Sequence, residues 1–183
     1  MDQDEGYAGE TIVPAAVADA NEIGAMHVRS WQGAYQGLMP QEYLDQLDPA
    51  RRADRWRRVL RDVDSCSYRG GVLIAATAAG IVGFTAYGPT RDDDGDPSRT
   101  GEVGAIYLLP EIWGQGTGRR LMTAALRNLA EAGYLDATLW ALDSNARART
   151  FYAAGGWVED GAIKHDGSRG FTLTEVRYRR PLP

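Results

Sequence analysis

Three glycines alternate along the stretch PEIWGQGTGRRL: Gly114, Gly116 and Gly118, followed by Arg119, Arg120 and a long amphipathic segment. Glycine this dense at the mouth of a helix opens the backbone to close approach. The first N–H groups of a helix have no intrahelical partner, and the macrodipole adds about half a positive charge there. A diphosphate can sit on such bare amides, with Arg119 or Arg120 one turn further in to reach it. The same glycines would also suit a helix packed closely on a strand, and the stretch alone leaves both readings open. Two phosphate motifs are excluded. A P-loop ends in Gly-Lys-Ser/Thr, and the chain's only lysine is Lys164. The dinucleotide fingerprint needs G-x-G-x-x-G in the first turn of a parallel βαβ unit, and here the spacing is G-x-G-x-G after what reads as an antiparallel hairpin. Cys66 is the only cysteine, so an intrachain disulfide and a cysteine zinc site are excluded too. No metal is expected.

The elements that must carry this stretch follow from periodicity. TIVPAAV reads as a first strand. Residues 18–35 place Ile23, Met26, His27, Ser30, Trp31 and Ala34 at helical spacing, with Asp19 as N-cap. PQEYLDQL forms a short helix after Pro40, and Pro49 opens a third with Ala53, Trp56, Val59 and Leu60 as its apolar side. GVLIAATAAGIVGFTAYG reads as an antiparallel hairpin turning at Ala79 and Gly80. A polar loop, the strand EVGAIYLLP and a helix over 115–132 follow, the helix closed by Gly133. LDATLWAL is a strand and DSNARARTFYAAGG a capped helix; WVEDGAI and TLTEVRYRRPL are final strands joined by the loop KHDGSRG. Residues 1–9 read as a flexible leader and 10–183 as a single α/β domain, helices first and then a largely antiparallel sheet.

Composition narrows the function classes. The chain has 183 residues and a formal net charge of −5, which argues against sequence-independent nucleic-acid binding. No apolar run approaches the roughly 18 to 20 residues of a membrane span. The acidic start MDQDEGYAGE is unlike a secretory or transit peptide, so a cytoplasmic location is expected.

Together, EVGAIYLLPEIWGQGTGRRLM and DSNARARTFYAAGGW resemble the GNAT superfamily of N-acetyltransferases. That family's acyl-CoA motif, Arg/Gln-x-x-Gly-x-Gly/Ala, opens a helix just after a strand. The match puts Gly116 and Gly118 at the glycine positions and Trp113 at the Arg/Gln position, a departure that touches one side-chain contact but not the amide cradle. A second element, Asn-x-x-Ala-x-x-Phe-Tyr-x-x-x-Gly-Phe, is matched by Asn145, Ala148, Phe151, Tyr152, Gly156 and Trp157, with Trp in place of the usual Phe. Two linked motifs at the right separation are far more specific than either alone.

The resemblance implies a mixed, largely antiparallel central sheet with helices on both faces. It implies acetyl-CoA as donor and a primary amine of a small molecule or peptide as acceptor, joined in a ternary complex. A non-catalytic acyl-CoA sensor is the competing reading. By the same resemblance, the strand before the glycines splays from its partner across a bulge near Ile106 to Leu109. Backbone groups around Ile106, Tyr107 and Leu108 would bind the pantetheine arm, and Gly114, Gln115, Gly116, Thr117, Gly118 and Arg119 the pyrophosphate. Asn145 would contact the arm, Tyr152 would protonate the departing thiolate, and Glu102 matches the place of a water-relaying base in many relatives. Trp31 and Tyr35, one helical turn apart, with His27 beside them, would border the acceptor. A homodimer is expected from the late strands and the Trp-rich surfaces.

Overall fold

The computed structural model describes residues 9–64 and 69–183. The strands are β1 (Thr11–Pro14), β2 (Gly71–Thr77), β3 (Gly80–Pro89), β4 (Thr100–Leu108), β5 (Asp136–Leu142), β6 (Val158–Asp166) and β7 (Leu173–Pro181). The α-helices are α1 (Ala20–Ala34), α2 (Gln41–Asp45), α3 (Pro49–Val63), α4 (Thr117–Glu131) and α5 (Ala146–Ala154). The strands form one sheet in the order β1-β2-β3-β4-β5-β7-β6, in which only β4 and β5 run parallel.

Alternation along β3 explains why helices cover both faces. Phe84, fully buried, meets the rings of His27 on α1 and Trp56 on α3. Its neighbour Gly83 faces the other way, where an added Cβ would lie 3.3 Å from Leu121 of α4. Burying a side chain the size of Phe84 contributes on the order of 2 kcal/mol, so these contacts set the register of the central strands. Beyond β4, a second cluster of Leu126, Leu129, Leu139, Tyr152, Trp157 and Tyr178 joins α4 and α5 to β5 and β7.

Several boundaries differ from those read in the sequence, each for a local reason. The first strand stops at Pro14, and a 3-10 turn at Val17–Asp19 precedes α1. Asp19 does not cap α1; its carboxylate accepts from the Ala16 N–H at 2.7 Å, closing that turn instead. Asp48 does cap α3, accepting from Ala50 N at 2.8 Å. α4 begins at Thr117 rather than 115, because Gly116 takes a left-handed φ of 86°. The last strand pair runs through Lys164–Asp166, part of the stretch expected as loop, so the connection is confined to 167–172. The proposed leader falls on residues 1–8, outside the described residues, except Gly9. Among the described residues, no helix is long and apolar enough to cross a membrane.

Candidate functional site

The central feature is a parting of strands. β4 pairs with β5 only over Thr100–Glu102. In the β3–β4 register, Ala86 faces Ala105 and Tyr87 faces Val103, so Gly104 is an extra residue. The bulge therefore lies at Gly104, upstream of the Ile106–Leu109 span expected for it. The place suits it, since a Cβ on Gly104 would come to 3.0 Å of the Arg91 guanidinium. A bulge bends its strand and raises the local twist, which carries the rest of β4 away from β5.

Register then decides which backbone groups face the gap. Leu109 N–H donates to Val82 O at 2.9 Å. Pairs alternate along an antiparallel ladder, so Tyr107 spends its N–H and C=O on β3 while those of Ile106 and Leu108 point towards β5. The Leu108 carbonyl accepts from Trp113 Nε1 at 3.2 Å. The Leu108 N–H and both polar groups of Ile106 are left facing the cleft.

The cleft leads to the glycines. Gly114 and Gly116 have φ of 79° and 86°, a region that L side chains avoid, and nothing lies within 4 Å of a Cβ built on either. Conformation and open space, not packing, select glycine there. Gly118 is different: its Cβ would sit 3.3 Å from Leu108 Cδ1, against the strand. Gly116 gives α4 no side-chain cap, so the Thr117, Gly118 and Arg119 amides stay free of intrahelical partners. Arg120 is not available to a phosphate. It pairs with the fully buried Glu10 carboxylate at 2.6 Å, and Thr117 Oγ1 donates to the same carboxylate at 2.5 Å. Thr117 thus offers its backbone alone, while exposed Arg119 lines the cleft. Gln115 turns back to donate to Glu111 O at 2.9 Å and lies off the cavity wall.

Parted strands, glycine turn and α5 enclose a cavity of about 880 Å³. Five cations (Arg91, Arg119, Arg147, Lys164 and Arg180) and two carboxylates (Glu102 and Glu175) line it, in a chain whose net charge is −5. The cavity lining therefore carries an excess of positive charge. Asn145 caps α5 by accepting from Ala148 N at 3.1 Å, which leaves its side-chain nitrogen for a ligand. Tyr152, buried on α5, lines the same cavity; burial raises its phenol pKa, and Tyr107 and Tyr178 add to the effect. Glu102 is buried, and its oxygens accept from the Arg91 backbone N–H and guanidinium, tying down the loop after β3.

This site belongs to a known architecture. The acetyltransferase (GNAT) family profile matches residues 29–157, more than half of the chain. The chain belongs to the GNAT acetyltransferase family. An uncharacterized N-acetyltransferase of Bacillus subtilis, YuaI, is 30% identical over 74% of this chain and 73% of its own. Among solved structures, the PaiA N-acetyltransferase of Thermoplasma acidophilum in complex with coenzyme A superposes with a TM-score of 0.76 at 18% identity, covering 94% of this chain and 99% of that one. YncA, a putative acetyltransferase of Salmonella typhimurium with acetyl-CoA, gives 0.69 at 20% identity, covering 96% and 95%. These two likenesses concern the fold. The GNAT sheet order and helices on both faces agree with the architecture expected from the sequence.

The three acceptor-side residues of this GNAT protein separate. Tyr35 lines the cavity, its hydroxyl 3.4 Å from that of Tyr107. Burial first, and then the Tyr107 phenol, raises the Tyr35 pKa well above its ordinary value. Trp31 stands behind it, ring centroids 5.0 Å apart, with Arg52 stacked at 4.5 Å on the indole. His27 is a core residue: its Nδ1 accepts from Trp56 Nε1 at 3.0 Å, and it stacks on Tyr107 at 4.7 Å. Burial, then Arg52 and Arg55, depresses its pKa well below the usual value, so it is neutral. The Tyr107 ring belongs with these aromatics rather than with the strand gap. Asp92 and Asp94 pair with the buried Arg177 on β7, together with Asp160. Sequence reasoning missed Arg147, Lys164, Glu175 and Arg180, which come from the three consecutive elements α5, β6 and β7 and share no motif.

Proposed function

We propose that this GNAT enzyme moves an acetyl group from acetyl-CoA to a primary amine by direct attack within a ternary complex. One observation carries the reading: the free Ile106 backbone groups and Leu108 N–H lead to the open amides at the start of α4, in a cationic cavity that also holds Tyr152. A long, phosphate-ended thioester fits that path, with its arm along β4 and its pyrophosphate on the start of α4. When bound, acetyl-CoA supplies an activated acyl group.

The chain's own groups do the rest. The Leu108 N–H is an in-place donor for the charge that develops on a carbonyl oxygen under attack. Tyr152 is protonated at neutral pH, as any phenol is, burial raising its pKa further, and it gives its proton to the sulfur as the C–S bond breaks. An alkyl ammonium has a pKa of about 10.4, so exposing the free amine costs about 1.4 kcal/mol per pH unit below that value. Glu102, its oxygens already engaged by Arg91, serves through ordered water rather than by direct contact.

The test is release of free thiol from acetyl-CoA across polyamines, aminoglycosides, amino acids and peptide N-termini. Amine-dependent release supports the reading. Saturable CoA binding with no release on any acceptor would make the protein a sensor instead.

A further inference from the structure

Trp113 occupies a motif position where a polar residue is expected, and its neighbour in space is unexpected too. Arg147, on the first turn of α5, lays its guanidinium over the Trp113 indole, Cζ 3.1 Å from the ring centroid. Two walls of the cavity meet in that contact, since Trp113 comes from the β4–α4 connection and Arg147 from the β5 side. The indole is itself held at both ends. Its Nε1 donates to Leu108 O, and its outer ring lies 3.5 Å from where a Cβ on Gly33 of α1 would stand.

The other cavity cations differ from Arg147. Arg91 is forked on Glu102, Lys164 pairs with Glu175 at 3.3 Å, and Arg180 donates to the Gly155 carbonyl. Arg119 stands beside the α4 amides, at the pyrophosphate seat. Arg147 has no carboxylate partner among the described residues, and Tyr35, at the acceptor end, lines the same cavity. A guanidinium stacked on an aromatic ring spends its face and keeps its in-plane N–H donors, already oriented, for an oxyanion. Such a fork binds a carboxylate or phosphate in two parallel hydrogen bonds.

We propose that Arg147, oriented by Trp113, receives an oxyanion carried by the acceptor, so that the acceptor is an amine bearing a carboxylate or phosphate, as in an amino acid. This rests on the reading of the cavity as an amine-acetylating site.

Two measurements test the proposal. The first compares acetyl transfer to the α-amino acids and to their decarboxylated amines. The wild type favours the carboxylate-bearing members. Arg147→Gln raises their KM about 10-fold or more with little change in kcat, as expected for one charged hydrogen-bonding group. Arg147→Lys, which keeps charge but loses the planar fork, falls between. An equal preference for the plain amines, or an R147Q ratio equal to wild type, overturns the proposal. The second titrates inorganic phosphate into the CoA-bound protein, whose pyrophosphate seat is filled. Phosphate binding that weakens about 10-fold or more in R147Q supports the oxyanion seat even if no panel amine is acetylated, in which case it is the acetyltransfer reading that fails. Absent or unchanged phosphate binding overturns the seat. Weaker CoA binding by R147Q with a flat phosphate arm assigns Arg147 to the cofactor and overturns the acceptor role.

Discussion

At the scale of single residues, the site depends on which polar groups are left unused by the fold. Tyr152 packs against Tyr178 with ring centroids 5.7 Å apart and opens on the cavity, whereas His27 is enclosed by Trp56, Phe84 and Tyr107. Their variants should behave in opposite ways. Tyr152→Phe is expected to lower kcat about 100-fold while the CoA dissociation constant barely moves; an unchanged kcat would remove it as the acid. His27 affects stability instead. Its folded pKa lies below the unfolded value of about 6.5, so the unfolded state binds the extra proton as pH falls. Its contribution is fully present above that pH and is lost below it, at up to about 1.4 kcal/mol per unit until the folded pKa is reached. Urea midpoints between pH 7.5 and 5 should therefore fall in the wild type and fall less in His27→Gln, where a side-chain oxygen can still accept from Trp56.

Element scale is where the glycines divide by purpose. Gly24 on α1 faces α3 so closely that a Cβ would lie 2.6 Å from Ala53 N and 2.8 Å from Pro49 O. Both obstacles are backbone and cannot rotate aside. Gly24→Ala should cost about 2 kcal/mol, read as a lower melting temperature of roughly 5 °C, with CoA affinity unchanged in the remaining folded protein. A Cβ on Gly116 meets no protein atom within 4 Å, yet Gly116→Val forces a β-branched residue to a φ of 86°. It should cost about 1 to 2 kcal/mol of stability and, separately, weaken CoA binding by filling the space over the α4 amides. Calorimetry on both variants would separate the two cases. A G116V protein that binds CoA as wild type does would show that the cradle lies elsewhere.

For the whole molecule, local and net charge have opposite signs. If the field of the whole chain governed, salt would strengthen binding of an anion to a protein of net charge −5. If the cavity's excess of cations governs, salt weakens it, because screening acts over about 10 Å at 0.1 M and about 3 Å at 1 M. CoA affinity is expected to fall severalfold as salt rises. Binding that tightens with salt would contradict the assignment of the cationic cavity to a polyanionic ligand. The arrangement survives because the acidic groups are spent elsewhere: Glu10 holds Arg120 and Thr117 at the back of α4, and Asp92, Asp94 and Asp160 enclose Arg177 on β7.

Much of this was legible in the chain itself, since helix and strand periodicity, turn glycines and motif spacing are local properties. The hairpin at Gly80, the glycine turn that opens α4 and the capped α5 are examples, each determined by residues within a few positions of one another. Tertiary structure decided what depends on contacts between distant segments. It placed the bulge at Gly104, turned Ile106 and Leu108 towards the gap, withdrew Arg120 to Glu10 across 110 residues and set Arg147 on Trp113. It also sorted Tyr35, which caps the end of α1 and lines the cavity, from His27 two turns earlier in the core. Which of two neighbouring side chains meets the cavity and which meets the core depends on what the sheet presents opposite them, and sequence spacing carries no term for that.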